Sequence, residues 1–147
     1  VAGADLAASA MLASAAAAAA IIDTLEGAGF RCDVLAVWRS SHTGFGLEAI
    51  TRAKAPESPV NLASLAYALG HPTMLRRLCF ILAGGTAAAE PIGNGLGAST
   101  TLRANADQGV YVLPSAHETA TGTNAAAAFD AMIAALRAQG CPGIPEA

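Results

Sequence analysis

A run of alanines constrains this chain before anything else does. Residues 6–26 read "LAASAMLASAAAAAAIIDTLE", with no Gly or Pro and the strongest helix former at nearly half of the positions. The expectation is a helix from about Asp5 to Glu26, stopped by "GAG" at 27–29. Leu6, Met11, Leu12, Ile21, Ile22 and Leu25 supply its larger apolar contacts. Alanine buries little area, so such a helix gains from burial only when its neighbours come close.

The same stretch raises the membrane question. Seventeen residues separate Asp5 from Asp23, and most are Ala, which is only weakly lipophilic. A secretory signal would begin with a basic segment, and this one does not. The reading is a buried helix of a soluble domain, with no membrane as partner.

With 147 residues, one domain with one core is expected over 1–147. About a quarter of the residues are Ala, hydrophobic residues make up 54%, and only 13% are charged. Net charge is −3 and there is no basic block, which excludes the electrostatic footprint of a nucleic-acid binder. Seven of the eight basic residues are Arg, and Lys54 is the one Lys. Cys32, Cys79 and Cys141 lie far apart, without CxxC or zinc-type spacing, and read as free buried thiols in a reducing compartment.

"FRCDVLAVW", 30–38, is a dense apolar run and reads as a strand. "RSSHTG", 39–44, reads as a loop, and "LEAITRAK", 47–54, as a second strand completing a hairpin. "APESP", 55–59, is irregular. Asn61 caps a helix through Leu69, with Leu62, Leu65, Ala66 and Leu69 at helical spacing. Gly70 ends it, and Pro72 biases His71 toward an extended backbone. "LCFIL", 78–82, suits a strand covered on both faces. A long irregular loop follows at about 84–106, then "GVYVL", 109–113, as a buried strand. Asn124 caps a last helix through Gln139, burying Ala128, Phe129, Met132, Ile133 and Leu136, and the "GCPGIPEA" tail frays. Strands interleaved with helices imply an α/β fold: a Rossmann-like three-layer sheet with helices on both faces.

Six residues stand out as candidate binding groups. Ser40, Ser41 and His42 follow the first strand and carry oxygen and nitrogen donors suited to a phosphate or a metal. A solvated hairpin tip explains them as well. His71 sits at a helix end, where it acts either as a base or as a capping group. Arg76 and Arg77 suit an anion or salt bridges at the entry of a strand. No nucleophile turn, GxGxxG or GxxxxGK[ST] is present, so no catalytic residue and no nucleotide cofactor is assigned.

Two segments, "AAAIIDTLEGAGFRCDVLAVW" leading into a hairpin and "VNLASLAYALGHPTMLRRLCFIL", together with the last strand and helix, carry a family likeness. Over about residues 10–139 the chain resembles the von Willebrand factor A-like domains, and more narrowly an uncharacterised phage and prophage branch of that fold. The resemblance implies a first strand ending in DxSxS, whose aspartate and hydroxyls hold magnesium or manganese. "ADLAASA", 4–10, does not match that motif and no strand precedes it. The first strand is therefore expected upstream of Val1 or lost, and no metal ligand is carried over. Asn61 and Ser58 are poor substitutes for the threonine of a later loop.

The resulting expectation is a non-catalytic α/β protein-interaction module, a phage or prophage structural or assembly protein. Its partners would be other proteins or itself, in the bacterial cytoplasm or the virion. The alternatives are a small α/β hydrolase using His71 or His42, and a metal-dependent ligand binder with a degenerate adhesion site.

Overall fold

The computed structural model describes residues 7–42, 45–71, 73–74, 104–115 and 124–144, with side chains at 38–49 outside that description. Within these bounds the chain is a mixed α/β structure of three helices and a two-stranded antiparallel sheet. The expected strand at 78–82 lies outside the described residues, as do Arg76, Arg77, Cys79 and most of the expected loop at 84–106.

Helix α1 spans Ala8–Gly27. It starts later than expected: Ala7 is its N-cap and offers no capping side chain, while Asp5 falls outside the described residues. The "GAG" stop acts as expected. Gly29 takes φ 95, a left-handed conformation that only glycine adopts without cost. The Gly29 N–H donates to the Glu26 carbonyl at 3.0 Å and the Phe30 N–H to the Leu25 carbonyl at 3.1 Å, the paired bonds of a Schellman ending. By length and composition α1 could cross a membrane, but more than half of its most apolar window is buried in the protein.

The alanines let two helices approach α1 on different sides. Ala17, Ala18, Ile21 and Leu25 meet Ala128, Met132, Leu136 and Cys141 in one cluster. Ala19 and Ile22 meet Leu65 in a second, and Cys32 and Leu69 pack against both. The closest approach is at Gly70, where a Cβ would overlap the Ala15 methyl and stand 2.5 Å from the Met11 carbonyl oxygen.

Strand β1, Val34–His42, pairs antiparallel with β2, Phe45–Lys54. The hairpin was expected, but it is longer than the apolar residues alone suggest. Arg39, Ser40, Ser41 and His42 belong to β1, facing Glu48, Leu47, Gly46 and Phe45 in the register, rather than to a loop at 39–44. Backbone pairing continues through polar residues because the ladder bonds do not depend on side chains. At the other end β1 begins at Val34, not at Phe30.

The turn at 55–58 closes through the Ser58 N–H and the Ala55 carbonyl, 3.1 Å. Helix α2, Leu62–Gly70, follows, and Asn61 Oδ1 accepts the Ser64 N–H at 3.0 Å as its cap. Of the four apolar positions expected to face the core, Leu65 is fully buried and Leu69 packs against both clusters, but Leu62 is exposed.

The expected strand at 109–113 is corrected. Ala106–Gln108 form a 3-10 turn, Gly109 takes φ 68, and Asn105 and Val110 exchange two backbone bonds of 2.8 and 2.9 Å as an isolated bridge. Beyond it the backbone finds a side chain instead of a strand. Gln139 Oε1 accepts the Val112 N–H at 2.7 Å and Gln139 Nε2 donates to the Val112 carbonyl at 2.8 Å. One amide group thus satisfies both polar groups of Val112.

Helix α3, Ala125–Ala138, is capped by Asn124, whose Oδ1 accepts the Ala126 and Ala127 N–H groups at 3.1 and 3.2 Å. Ala128, Met132 and Leu136 are buried, with Phe129 and Ile133 half-buried. The tail does not fray through residue 144. Gly140, φ 70, makes a second Schellman ending, Cys141 is buried, and Ile144 packs on the core.

Candidate functional site

The most enclosed polar group in the described residues was not anticipated from sequence. Glu26 stands in the last turn of α1, where the carbonyl end of the helix disfavours an anion, and no basic residue lies in that turn. The cation comes from β2. Lys54 Nζ lies 2.7 Å from Glu26 Oε1, and their side chains are only 2% and 7% exposed. The ammonium also donates to the Cys32 carbonyl at 3.2 Å and the Ala55 carbonyl at 2.9 Å, so its three hydrogens are all used. Glu26 Oε1 also accepts the Cys32 N–H at 2.9 Å, and Arg31 approaches Oε2 at 3.7 Å from solvent.

A register fault brings Lys54 inside. Leu35 pairs with Arg52, but Val34 pairs with Lys54, leaving Ala53 as the extra residue of a bulge. Strict alternation would place Lys54 on the same face as Arg52. The bulge turns it to the inner face, where Val34 and Ala53 pack against Leu65. The only lysine among seven arginines was the one sequence signal that could have pointed here.

This cluster is built to hold, not to react. The Lys54 hydrogen bond, and then the Cys32 N–H, hold the Glu26 carboxyl below its ordinary range. Burial pushes the Cys32 thiol up, and the Glu26 charge adds to that. Burial likewise raises the Cys141 thiol. Both cysteines are free, as read from the sequence, and neither is set up as a thiolate nucleophile.

His71 is the candidate whose geometry is described. It caps α2 with φ −74 and ψ 127, the extended backbone expected before proline. Its N–H donates to the Tyr67 carbonyl at 3.1 Å, and its ring stacks on Tyr67 with centroids 5.1 Å apart. His71 Nδ1 accepts the Thr73 N–H at 3.2 Å. A neutral imidazole with Nδ1 as acceptor carries its proton on Nε2, which then donates. That is the opposite of the tautomer in which a base offers Nε2 to a hydroxyl or thiol.

The other candidates do not join His71 in any described contact. Ser40, Ser41 and His42 occupy the far end of the hairpin and their side chains lie outside the description; Arg76 and Arg77 lie outside it altogether. Among the described residues no group of three His, Cys, Asp or Glu could hold a metal ion. Asn61, weighed as a substitute metal ligand, is committed to its helix cap.

The second feature is the outer face of the hairpin. Leu35 is 48% and Ile50 56% exposed, with half-buried Val37 opposite Ile50 in the register. Beside them the Arg52 guanidinium grips Asp33 through two contacts of 3.1 Å. Sequence reading missed this face because "VLAVW" is apolar at every position and does not say which side meets the helices.

The chain belongs to the family described as Domain of unknown function (DUF7192), whose model matches residues 2–142. No curated protein and no solved structure matches it.

Proposed function

We propose that this chain is a non-catalytic α/β protein-interaction module, a phage or prophage structural or assembly protein acting in the bacterial cytoplasm or the virion. The observation that carries the interaction role is the outer face of the hairpin, which offers Leu35 and Ile50 to solvent around Val37. Large side chains presented together on a sheet favour association, because covering them removes apolar surface from water. The ionisable groups with described geometry support the non-catalytic part. Lys54 and Glu26 are spent on each other, and His71 Nδ1 is taken up by the Thr73 N–H at the end of α2.

The finer architecture we propose is a three-layer von Willebrand A-like sheet. Its support is the order of helix, antiparallel hairpin and helix over Ala8–Gly70, together with the apolar run "LCFIL" at 78–82, which reads as a strand from the sequence alone. The phage or prophage assignment rests on the sequence resemblance alone.

The test is direct. The purified chain is incubated with serine- and cysteine-directed hydrolase probes, native and unfolded. An interaction module gives no labelling specific to the native state. Native labelling that His71→Ala abolishes, with the fold intact, would replace this reading with a hydrolase.

A further inference from the structure

We infer that Cys32 and Cys141 are a latent disulfide pair, which oxidation closes into a bond between the coil entering β1 and the segment that follows α3. Both thiols are free. They stand far apart in sequence yet meet at one core cluster: Cys141 is a buried member of it, and Cys32 packs against it. Two further observations bring their segments together. A Cβ on Gly143, which takes φ 81, would overlap the Phe30 ring. The backbone two residues after Cys141 therefore runs against the side chain two residues before Cys32. The second observation is electrostatic. After burial, what raises the Cys141 thiol is the charge of Cys32. Such an effect falls off with distance, so the two sulfurs are near neighbours.

Each cysteine is also held from behind. The Cys32 N–H donates to Glu26 Oε1 at 2.9 Å and its carbonyl accepts Lys54 Nζ at 3.2 Å. The Cys141 N–H donates to the Leu136 carbonyl at 3.0 Å. The Cys141 sulfur itself has a weak bond to the Pro142 carbonyl at 3.7 Å, which costs little to give up. Neighbouring sulfurs on fixed backbone react with each other in preference to a distant thiol.

The oxidant is a small-molecule disulfide. Cys32, the less buried thiol, gives its proton to solvent, and its thiolate attacks the oxidant. The oxidant's S–S bond breaks, a mixed disulfide forms on Cys32, and one small thiolate leaves. Cys141 then loses its proton and attacks the Cys32 sulfur. The protein S–S bond forms and the second small thiolate leaves. Two electrons pass from the protein to the oxidant, and the two protons end on the two released thiols. Burial holds both cysteines protonated, so the exchange is slow at neutral pH and quickens as pH rises. In a reducing compartment the pair stays as thiols, and in an oxidising one the bond closes. Once closed, it encloses the hairpin, α2 and α3 in one covalent loop and removes freedom from the unfolded chain.

The native full chain, incubated with oxidised glutathione at about pH 8, alkylated and mapped by mass spectrometry, tests this. The expected product is an intramolecular Cys32–Cys141 bond. Its thermal midpoint should stand about 5 °C or more above that of the reduced chain, and reductant should reverse the rise. The same oxidation in urea is the control. Shorter loops close more readily in an unfolded chain, so there the pairs that include Cys79 should outnumber Cys32–Cys141, the pair farthest apart in sequence. Cys79→Ser should leave the native bond intact, whereas Cys32→Ser and Cys141→Ser should each abolish it. A native bond to Cys79, a reaction that stops at glutathione on Cys32, cysteines that stay reduced, or a bond that lowers the midpoint would each overturn the pairing.

Discussion

Lys54, the last residue of β2, places its ammonium 2.7 Å from the Glu26 carboxylate in the last turn of α1 and bonds the carbonyls on either side, of Cys32 and Ala55. Three segments are tied at one point: the end of the long helix, the coil entering β1, and the end of the hairpin. This clamp fixes which face of the hairpin turns outward.

Removing one partner of such a pair leaves the other enclosed and uncompensated. Lys54→Met should lower stability, read as a fall in the urea midpoint. Replacing both partners by apolar residues, Lys54→Met with Glu26→Leu, should recover much of that loss, because the desolvation of both charges disappears together. A double variant no better than Lys54→Met alone would show that the backbone bonds of Lys54 matter more than its charge.

Acid should release the clamp. Glu26 is held below its ordinary value of 4.5 by Lys54 first and the Cys32 N–H second. A carboxyl depressed in the folded state contributes stability that is complete above the unfolded value and is lost as pH falls through the folded one. Stability measured by urea unfolding should therefore decline below about pH 4.5, and Glu26→Gln should flatten that decline while lowering stability at pH 7. An acid limb of unchanged slope in Glu26→Gln would assign the decline to other carboxylates.

Gly70 marks the contact of α2 with α1. Alanine is the better helix former by about 1 kcal/mol, so Gly70→Ala on a free surface would stabilise. Here the new methyl meets Ala15 and the Met11 carbonyl oxygen, and the expected result is a net loss of about 1–3 kcal/mol. Adding Ala15→Gly should restore only part of it, since the Met11 backbone remains 2.5 Å from the added carbon. A stabilised Gly70→Ala would mean that the two helices separate at little cost.

Side-chain amides hold the C-terminal part. Asn124→Ala should cost about 1 kcal/mol by removing the acceptor of two N–H groups at the start of α3. Gln139→Leu strips both partners from Val112 at once. Hydrogen exchange of the Val112 amide should then accelerate well beyond that of amides inside α3. Equal protection in the variant would show that water or another group takes over the bond.

The elements that sequence revealed are those whose cause is local. Asn61 and Asn124 cap helices a few bonds away, and the glycine of "GAG" ends α1 through its own φ. The hairpin was legible because two apolar runs flank a short polar stretch, yet its length was not, since backbone pairing carries on through the polar residues Arg39 to His42. "GVYVL" looks like a buried strand, but its fate depends on Gln139, which bonds Val112 from the end of α3. The clamp was the least legible. Glu26 and Lys54 are far apart in the chain, both ordinarily favour water, and only a one-residue bulge turns Lys54 inward. The outer face shares that cause, because the bulge decides which side of β2 stays exposed.

A thermal unfolding series over a wide range of protein concentration, each sample with magnesium, with manganese and with chelator, tests the docking role most directly. Association of the native chain must raise the midpoint with concentration by mass action, and a bound metal must raise it with the ion. A non-catalytic docking module predicts a midpoint that ignores the metals, and self-association through the outer face adds a climb with concentration that Ile50→Lys abolishes. A midpoint that ignores concentration but rises with magnesium or manganese and falls back with chelator would contradict it, and would return the chain to the class of metal-dependent ligand binders.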